Sequence, residues 1–244
     1  MGKVYIIGAG PGDSELITLK AIKILRRADV VIYDRLVNSK ILKHARQAKE
    51  FIYVGKTHGD AYKQEEINKL MIQKAKEHNI VVRLKNGDPF IFGRGGEECE
   101  ALKEAGIEYE IIPGITSAIA APEYAGIPLT HRNYASSVAI VTGHRKENKP
   151  LNLQQILKAV DTTVILMGIS TIQEIIKQAL DTGLAPQTPL AIIQSATTKR
   201  QKTIITTLQE VEETLKKHKI KPPAVIVIGK VAQLHKTLAW CKEK

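Results

Sequence analysis

The chain has 244 residues, 43% of them hydrophobic and 25% charged, which suits an ordinary globular protein with a substantial core in one large domain or two small ones. A net charge of +11 favours an anionic partner, and 5% aromatics with no recognisable binding motif argues against a nucleic-acid binder. Two distant cysteines, Cys99 and Cys241, exclude a disulfide framework or a CxxC motif. No signal pattern precedes the first strand and no apolar run approaches ~20 residues, so a soluble cytoplasmic protein with no membrane partner is expected.

Residues Val4–Asp13 form a buried strand followed by a glycine-rich turn, after which Leu16, Leu19, Ile22, Ile24 and Leu25 supply a helical apolar face. The turn departs from a dinucleotide fingerprint. Asp13 stands where the third glycine belongs, and Pro11 biases Gly10 away from helical geometry; Asp13 suits a helix cap instead. The second strand, Asp29–Asp34, ends in Asp34-Arg35-Leu36-Val37. Asp34 could hold a ribose, as in a nicotinamide-dependent reductase. Alternatively, Asp34 and Lys56, at the end of the strand Phe51–Lys56, could face one cleft as a carboxylate and an ammonium for proton transfer. An amphipathic helix over Gln64–Lys76 turns Ile67, Leu70 and Met71 inward.

The apolar run Ile80–Leu84 then enters Lys85-Asn-Gly-Asp-Pro-Phe-Ile-Phe-Gly-Arg-Gly-Gly-Glu-Glu98, a strand-to-helix loop of the kind at which open α/β sheets bind ligands. Gly87 lets a ligand approach the backbone, Asp88 places a carboxylate at the strand's end and Pro89 stiffens the exit. A helix over Glu97–Gly106 and a strand over Tyr109–Ile112 follow. The segment from Pro113 to Arg132, with Gly114, Pro122 and Pro128, marks a hinge between halves 1–113 and 114–244, and Thr116 suits a helix cap. His131 suits an anion contact or a plain surface position.

The second half alternates strands (Ser137–Thr142, Thr163–Met167, Leu190–Gln194, Ala224–Ile228) with helices (Leu153–Val160, Thr171–Thr182, Leu208–His218, Val231–Trp240). A second α/β sheet follows, with an antiparallel excursion near Ile204–Leu208. The basic run Lys216–Lys221 suits a solvated helix end.

Val4–Asp13, Asp34–Val37, Val54-Gly-Lys56, Gly87–Glu98 and Pro113–Arg132 together resemble the tetrapyrrole methylase family over essentially the whole chain. The resemblance implies two α/β domains with S-adenosylmethionine in the cleft between them, and a homodimer. It assigns the cofactor to Pro11, Asn86, Gly87, Asp88, Ile91, Thr116, Ser117, Met167, Ala196 and Ala224, with no metal. Where the family commonly has glycine-glycine-aspartate and a glycine, this chain has Asn86-Gly87-Asp88 and Ala196. The activity implied is double C-methylation of uroporphyrinogen III, giving precorrin-2 by way of precorrin-1 on the route to sirohaem and cobalamin-type cofactors; a sister methylase acting on a later corrin intermediate is the alternative. Asp34 corresponds to the proposed proton acceptor and Lys56 to the proposed donor. Arg35, Arg94 and Arg132 are expected to pair with the substrate's eight carboxylates, which gives the positive charge a use.

Overall fold

The computed structural model describes residues 1–55, 63–143 and 153–241, and divides into two compact units, Met1–Thr116 and Ser117–Lys244. The first unit runs β1 (Lys3–Gly8), α1 (Leu19–Leu25), β2 (Val30–Tyr33), α2 (Ser39–Leu42), β3 (Glu50–Tyr53), α3 (Gln64–Glu77), β4 (Ile80–Lys85), α4 (Gly95–Glu104) and β5 (Glu108–Ile112). Its sheet has the order β3-β2-β4-β1-β5, with every pair parallel. Apolar residues fill both faces. Val4, Ile6, Val30, Ile32 and Val81 pack with Ile67, Met71, Cys99 and Leu102 of α3 and α4. Ile7, Val31, Val82 and Leu84 pack on the opposite face with Ala21 and Leu25 of α1 and Ile41 of α2. From β1 the chain crosses one way to β2, whereas from β4 it crosses the other way to β5. The ends of β1 and β4 therefore flank a topological switch point, the place where such sheets receive ligands.

Two local expectations change here. Thr18, whose hydroxyl accepts from the Ala21 N–H at 3.2 Å, caps α1, while Asp13 caps a separate 3-10 turn, Ser14–Leu16, by accepting from the Glu15 N–H. Starting the helix at residue 19 turns Leu19 outward, 77% exposed, and leaves Ala21 and Leu25 as the inward positions. At the β5 edge, Lys3 pairs with Glu108 at 2.8 Å and with Glu110 at 3.1 Å, and Lys20 pairs with Glu110. These partners raise the Lys3 ammonium above its ordinary range and lower the Glu110 carboxyl.

The second unit runs α5 (Ser117–Tyr124), β6 (Val138–Thr142), α6 (Leu153–Ala159), β7 (Thr162–Leu166), α7 (Ile172–Asp181), β8 (Pro189–Gln194), β9 (Lys202–Thr207), α8 (Val211–His218), β10 (Ala224–Ile228) and α9 (His235–Leu238). Its sheet has the order β6-β7-β10-β8-β9. Strands β6 and β7 are parallel, while β10 is antiparallel to both its neighbours and β9 to β8. The excursion near Ile204 is thus present, and it has a further effect. The connection from β8 to β9 carries no helix, so the chain reverses there, and the crossover through α8 lays β10 down in the reversed direction. The C-terminal segment is not one helix either. A 3-10 stretch, Lys230–Leu234, precedes the four-residue α9. No described helix is long and apolar enough to cross a membrane.

Candidate functional site

In the first unit the residues singled out from the sequence gather at the carboxyl edge of the parallel sheet. Pro11 follows β1, Asp34 and Arg35 follow β2, Asn86, Gly87 and Asp88 follow β4, and Thr116 follows β5. Two of these turns are joined: the Gly87 N–H donates to the Gly10 carbonyl at 2.7 Å and the Gly10 N–H to the Gly87 carbonyl at 3.2 Å. Asn38 pins the first turn further, its side-chain amide donating to the Gly12 carbonyl at 2.7 Å.

Glycines are required here because protein backbone approaches protein backbone. A Cβ on Gly114 would lie 2.3 Å from the Gly87 carbonyl oxygen, and one on Gly8 would lie 2.5 Å from the Gly114 Cα. Three strand ends thus close into one seam. Gly87 (φ 66°) also supplies a left-handed turn. Its own N–H and carbonyl are engaged by Gly10, which adds a structural reason for glycine to the ligand-approach reason expected from the sequence. Asp88 acts inside the same seam. One carboxylate oxygen accepts from the Phe90 N–H at 2.8 Å and the other from the Gly114 N–H at 3.1 Å.

Beyond Asp88 the loop presents Phe90, Ile91 and Phe92 to the outside, 54%, 38% and 44% exposed. The Gly95 N–H closes it by donating to the Pro89 carbonyl at 3.0 Å. Phe92 and Arg94 both hold positive φ. Three consecutive exposed apolar side chains on a strained loop suit contact with a large, partly apolar ligand. Arg94 is exposed beside Glu97, and Arg35 is exposed as well.

Beneath the loop lies a cluster that sequence reasoning missed. Arg83 and Lys85 sit on the face of β4 covered by α3 and α4, and both are buried with Glu98. Arg83 donates through Nε to Glu98 Oε1 at 3.0 Å and through Nη2 to Asp34 Oδ1 at 2.7 Å. Lys85 Nζ reaches the same Glu98 oxygen at 2.8 Å, and Gln64 donates to it at 3.3 Å. Arg83 Nη1 and Glu98 Oε2 make no hydrogen bond among the described residues, so the cluster combines charge-assisted hydrogen bonds with two unpaired polar atoms. Burial, with the nearby Arg83 cation, pushes the Lys85 ammonium below its ordinary range. The available signal was two charges alternating with Val82 and Leu84 inside a run otherwise buried on both faces. Lys56 lies outside the described residues.

In the second unit Met167 follows β7, Ala196 follows β8, and Ala224 opens β10. Because β10 runs antiparallel between β7 and β8, Ala224 pairs with Gln194 and Val225 with Leu166, which brings all three positions to one sheet edge. Met167 is 49% exposed at φ 55°, and Ser195 and Thr197, on either side of Ala196, are also left-handed. Such backbone is uncommon outside glycine and persists where surrounding structure holds it, often at ligand sites. Here Gln201 braces the turn, accepting from the Thr197 N–H at 2.8 Å and donating to the Tyr124 carbonyl at 3.1 Å. Ser117 begins α5, which buries Ala118 and Ala121. Arg132 is exposed beside His131, whose Nδ1 accepts from the Asn133 N–H at 3.2 Å within a tight turn.

The profile of the tetrapyrrole (corrin/porphyrin) methylases matches residues 3–212. A curated uroporphyrinogen-III C-methyltransferase from Methanocaldococcus jannaschii is 52% identical over 236 residues, 96% of this chain and 98% of that protein. Among solved structures, a uroporphyrin-III C-methyl transferase from Thermus thermophilus complexed with S-adenyl homocysteine superposes with a TM-score of 0.84 at 41% identity, covering 96% of this chain and all of that one. A cobalt precorrin-4 methyltransferase superposes at 0.85 with 30% identity, covering 94% and 95%. This chain belongs to the tetrapyrrole (corrin/porphyrin) methylases.

Proposed function

We propose that this chain is an S-adenosylmethionine-dependent C-methyltransferase that methylates uroporphyrinogen III twice, giving precorrin-2 by way of precorrin-1. The observation that carries the reading is the joined pair of turns after β1 and β4, within a chain 52% identical along nearly its whole length to a protein of that name.

The fit of the donor rests on features of this chain. The fixed turns after β1 and β4 offer Pro11, Asn86, Gly87 and Asp88, and the exposed Ile91 offers an apolar contact. Thr116 and Ser117, with the left-handed Met167 and the braced turn at Ala196 beside Ala224, complete the assignment. When bound, the donor's sulfonium supplies an electrophilic methyl group. The protein's task is then to hold an electron-rich ring carbon in line and exclude water, which is largely positioning. Asp88 contributes by fixing the loop. Arg35, Arg94 and Arg132 are assigned to the carboxylates of the macrocycle, for which guanidinium groups are well shaped. Asp34 takes the proton that leaves the macrocycle after methylation, and Lys56 is assigned the opposite transfer. Asp34 suits its part: among the described residues its carboxylate is tethered through Oδ1 alone, and its side chain is 31% exposed.

The same reading carries a homodimer, a cytoplasmic setting and no nucleic-acid partner; light scattering checks the first against twice 27.0 kDa. The activity test is product mass after incubation with labelled donor. Two methyl groups on uroporphyrinogen III are expected, and absence of turnover refutes the proposal. A second reading, methylation of a later corrin intermediate, is favoured by the likeness to the cobalt precorrin-4 methyltransferase, and turnover of that compound in place of uroporphyrinogen III would establish it. A nicotinamide-dependent reductase fits poorly. The residues after Gly10 form a 3-10 turn, and α1 starts only at Leu19, so its N-terminus does not open at the glycine turn as pyrophosphate binding needs. Tight NAD(P)H binding by calorimetry would restore that option.

A further inference from the structure

The buried cluster under β4 has a charge count that involves Asp34. Arg83 and Lys85 bring two cations into protein where they are 2% and 4% exposed, and Glu98, fully buried, brings one anion. The second anion is Asp34, held through Oδ1 at 2.7 Å by Arg83 Nη2. An uncompensated charge in dry protein is strongly disfavoured, and Asp34 is the second acidic side chain that Arg83 reaches. Geometry adds to charge. The planar guanidinium reaches Glu98 through one edge and Asp34 through another, so the rigidity of helix α4 at Glu98 is passed to the loop end at Asp34. Asp34 Oδ2 has no hydrogen-bond partner among the described residues.

We infer that Arg83 is a positioning residue for methyl transfer: anchored by Glu98 and Lys85, it fixes Asp34 by one oxygen and leaves the other to accept the proton lost by the methylated macrocycle. The inference rests on the role proposed for Asp34. The step balances: the substituted ring carbon takes the methyl group with an electron pair from the pyrrole π system and becomes quaternary, and the resulting cation is neutralised when a proton leaves a pyrrole nitrogen or a bridging methylene carbon, its bonding electrons returning to the ring, while Asp34 becomes a carboxylic acid. The methyl donor supplies the co-reactant and leaves as the neutral sulfide.

A double-mutant cycle on the full chain tests this, using Arg83→Lys, Asp34→Asn and the pair, with turnover, KM for uroporphyrinogen III, S-adenosylhomocysteine affinity by calorimetry and the urea midpoint all measured. A lysine keeps the charge but not the two-edged grip. Arg83→Lys is expected to lower kcat at least about ten-fold while KM and S-adenosylhomocysteine affinity move less than about three-fold. In the Asp34→Asn background the same change should alter the residual rate by less than about two-fold, because the partner it acts through is already lost. Losses that multiply across the cycle, or kcat that falls only with the urea midpoint, overturn the inference while leaving Asp34's own role intact. Undiminished turnover in Asp34→Asn alone removes that role and the inference with it. Should Arg83→Lys fail to fold, Arg83→Gln takes its place in the cycle with the same expectations.

Discussion

Replacing Gly114 with alanine tests the seam at the ends of β1, β4 and β5. The new Cβ would sit 2.3 Å from the Gly87 carbonyl oxygen and 2.7 Å from Gly8 Cα, where ordinary contact begins at 3.4 Å. Both neighbours are backbone, so no side chain can swing aside, and relief requires the turns after β1 and β4 to move apart by about 1 Å. Overpacking of that kind costs about 1–3 kcal/mol of stability. If those turns hold the donor, a misplacement of about 1 Å should also weaken S-adenosylhomocysteine binding by roughly 10- to 100-fold. Calorimetric titration with S-adenosylhomocysteine and urea unfolding measure the two effects. Gly96→Ala is the control, because a Cβ there meets nothing within 4 Å and the residue lies in α4, so stability should hold or rise by about 0.5–1 kcal/mol. Gly114→Ala binding S-adenosylhomocysteine within about two-fold of the parent would refute the claim that this seam sets the binding turns.

Other perturbations probe neighbouring features. Asp88→Ala removes the acceptor of the Phe90 and Gly114 N–H groups and should weaken S-adenosylhomocysteine binding by about ten-fold or more, with Asp88→Asn recovering part of the loss; equal affinities in all three proteins would contradict it. Glu98→Gln leaves Arg83 and Lys85 without their shared anion and should lower stability by about 3–5 kcal/mol, so an unchanged urea midpoint would show that the cluster is not held by charge. Asp161 accepts from the backbone N–H and hydroxyl groups of Ser136 and Ser137, which hold its carboxyl below its ordinary value of 3.8. A lowered folded pKa stabilises the protein above the ordinary aspartate range and ceases to do so as pH falls through it. Asp161→Asn should therefore be less stable than the parent at neutral pH, with the gap closing in acid; a gap independent of pH would count against this account.

Much of the architecture was legible because burial on two faces leaves long apolar runs. Strands β1, β2 and β4 and the loop into α4 follow directly from that pattern. In the second sheet the antiparallel excursion at β9 was legible but the direction of β10 was not. Periodicity describes each strand alone, whereas the orientation of β10 depends on a helix-free reversal seven residues long between β8 and β9. Leu19 misled because helical spacing identifies a stripe but not its starting phase, which Thr18 sets. The Arg83, Lys85 and Glu98 cluster was hidden by treating Ile80–Leu84 as uniformly apolar. Only the way α3 and α4, the helices on either side of β4 in the chain, fold back over that strand decides whether a charge in it finds partners.

The outermost strand β5 carries Glu108 and Glu110 against Lys3 and Lys20, a short ribbon of alternating ions on an open margin of the first sheet. An incoming strand from a neighbouring molecule would have to strip water from that ribbon while docking, at a cost that backbone pairing recovers only in part. Neutralising both glutamates should therefore raise the tendency of the protein to aggregate through this strand.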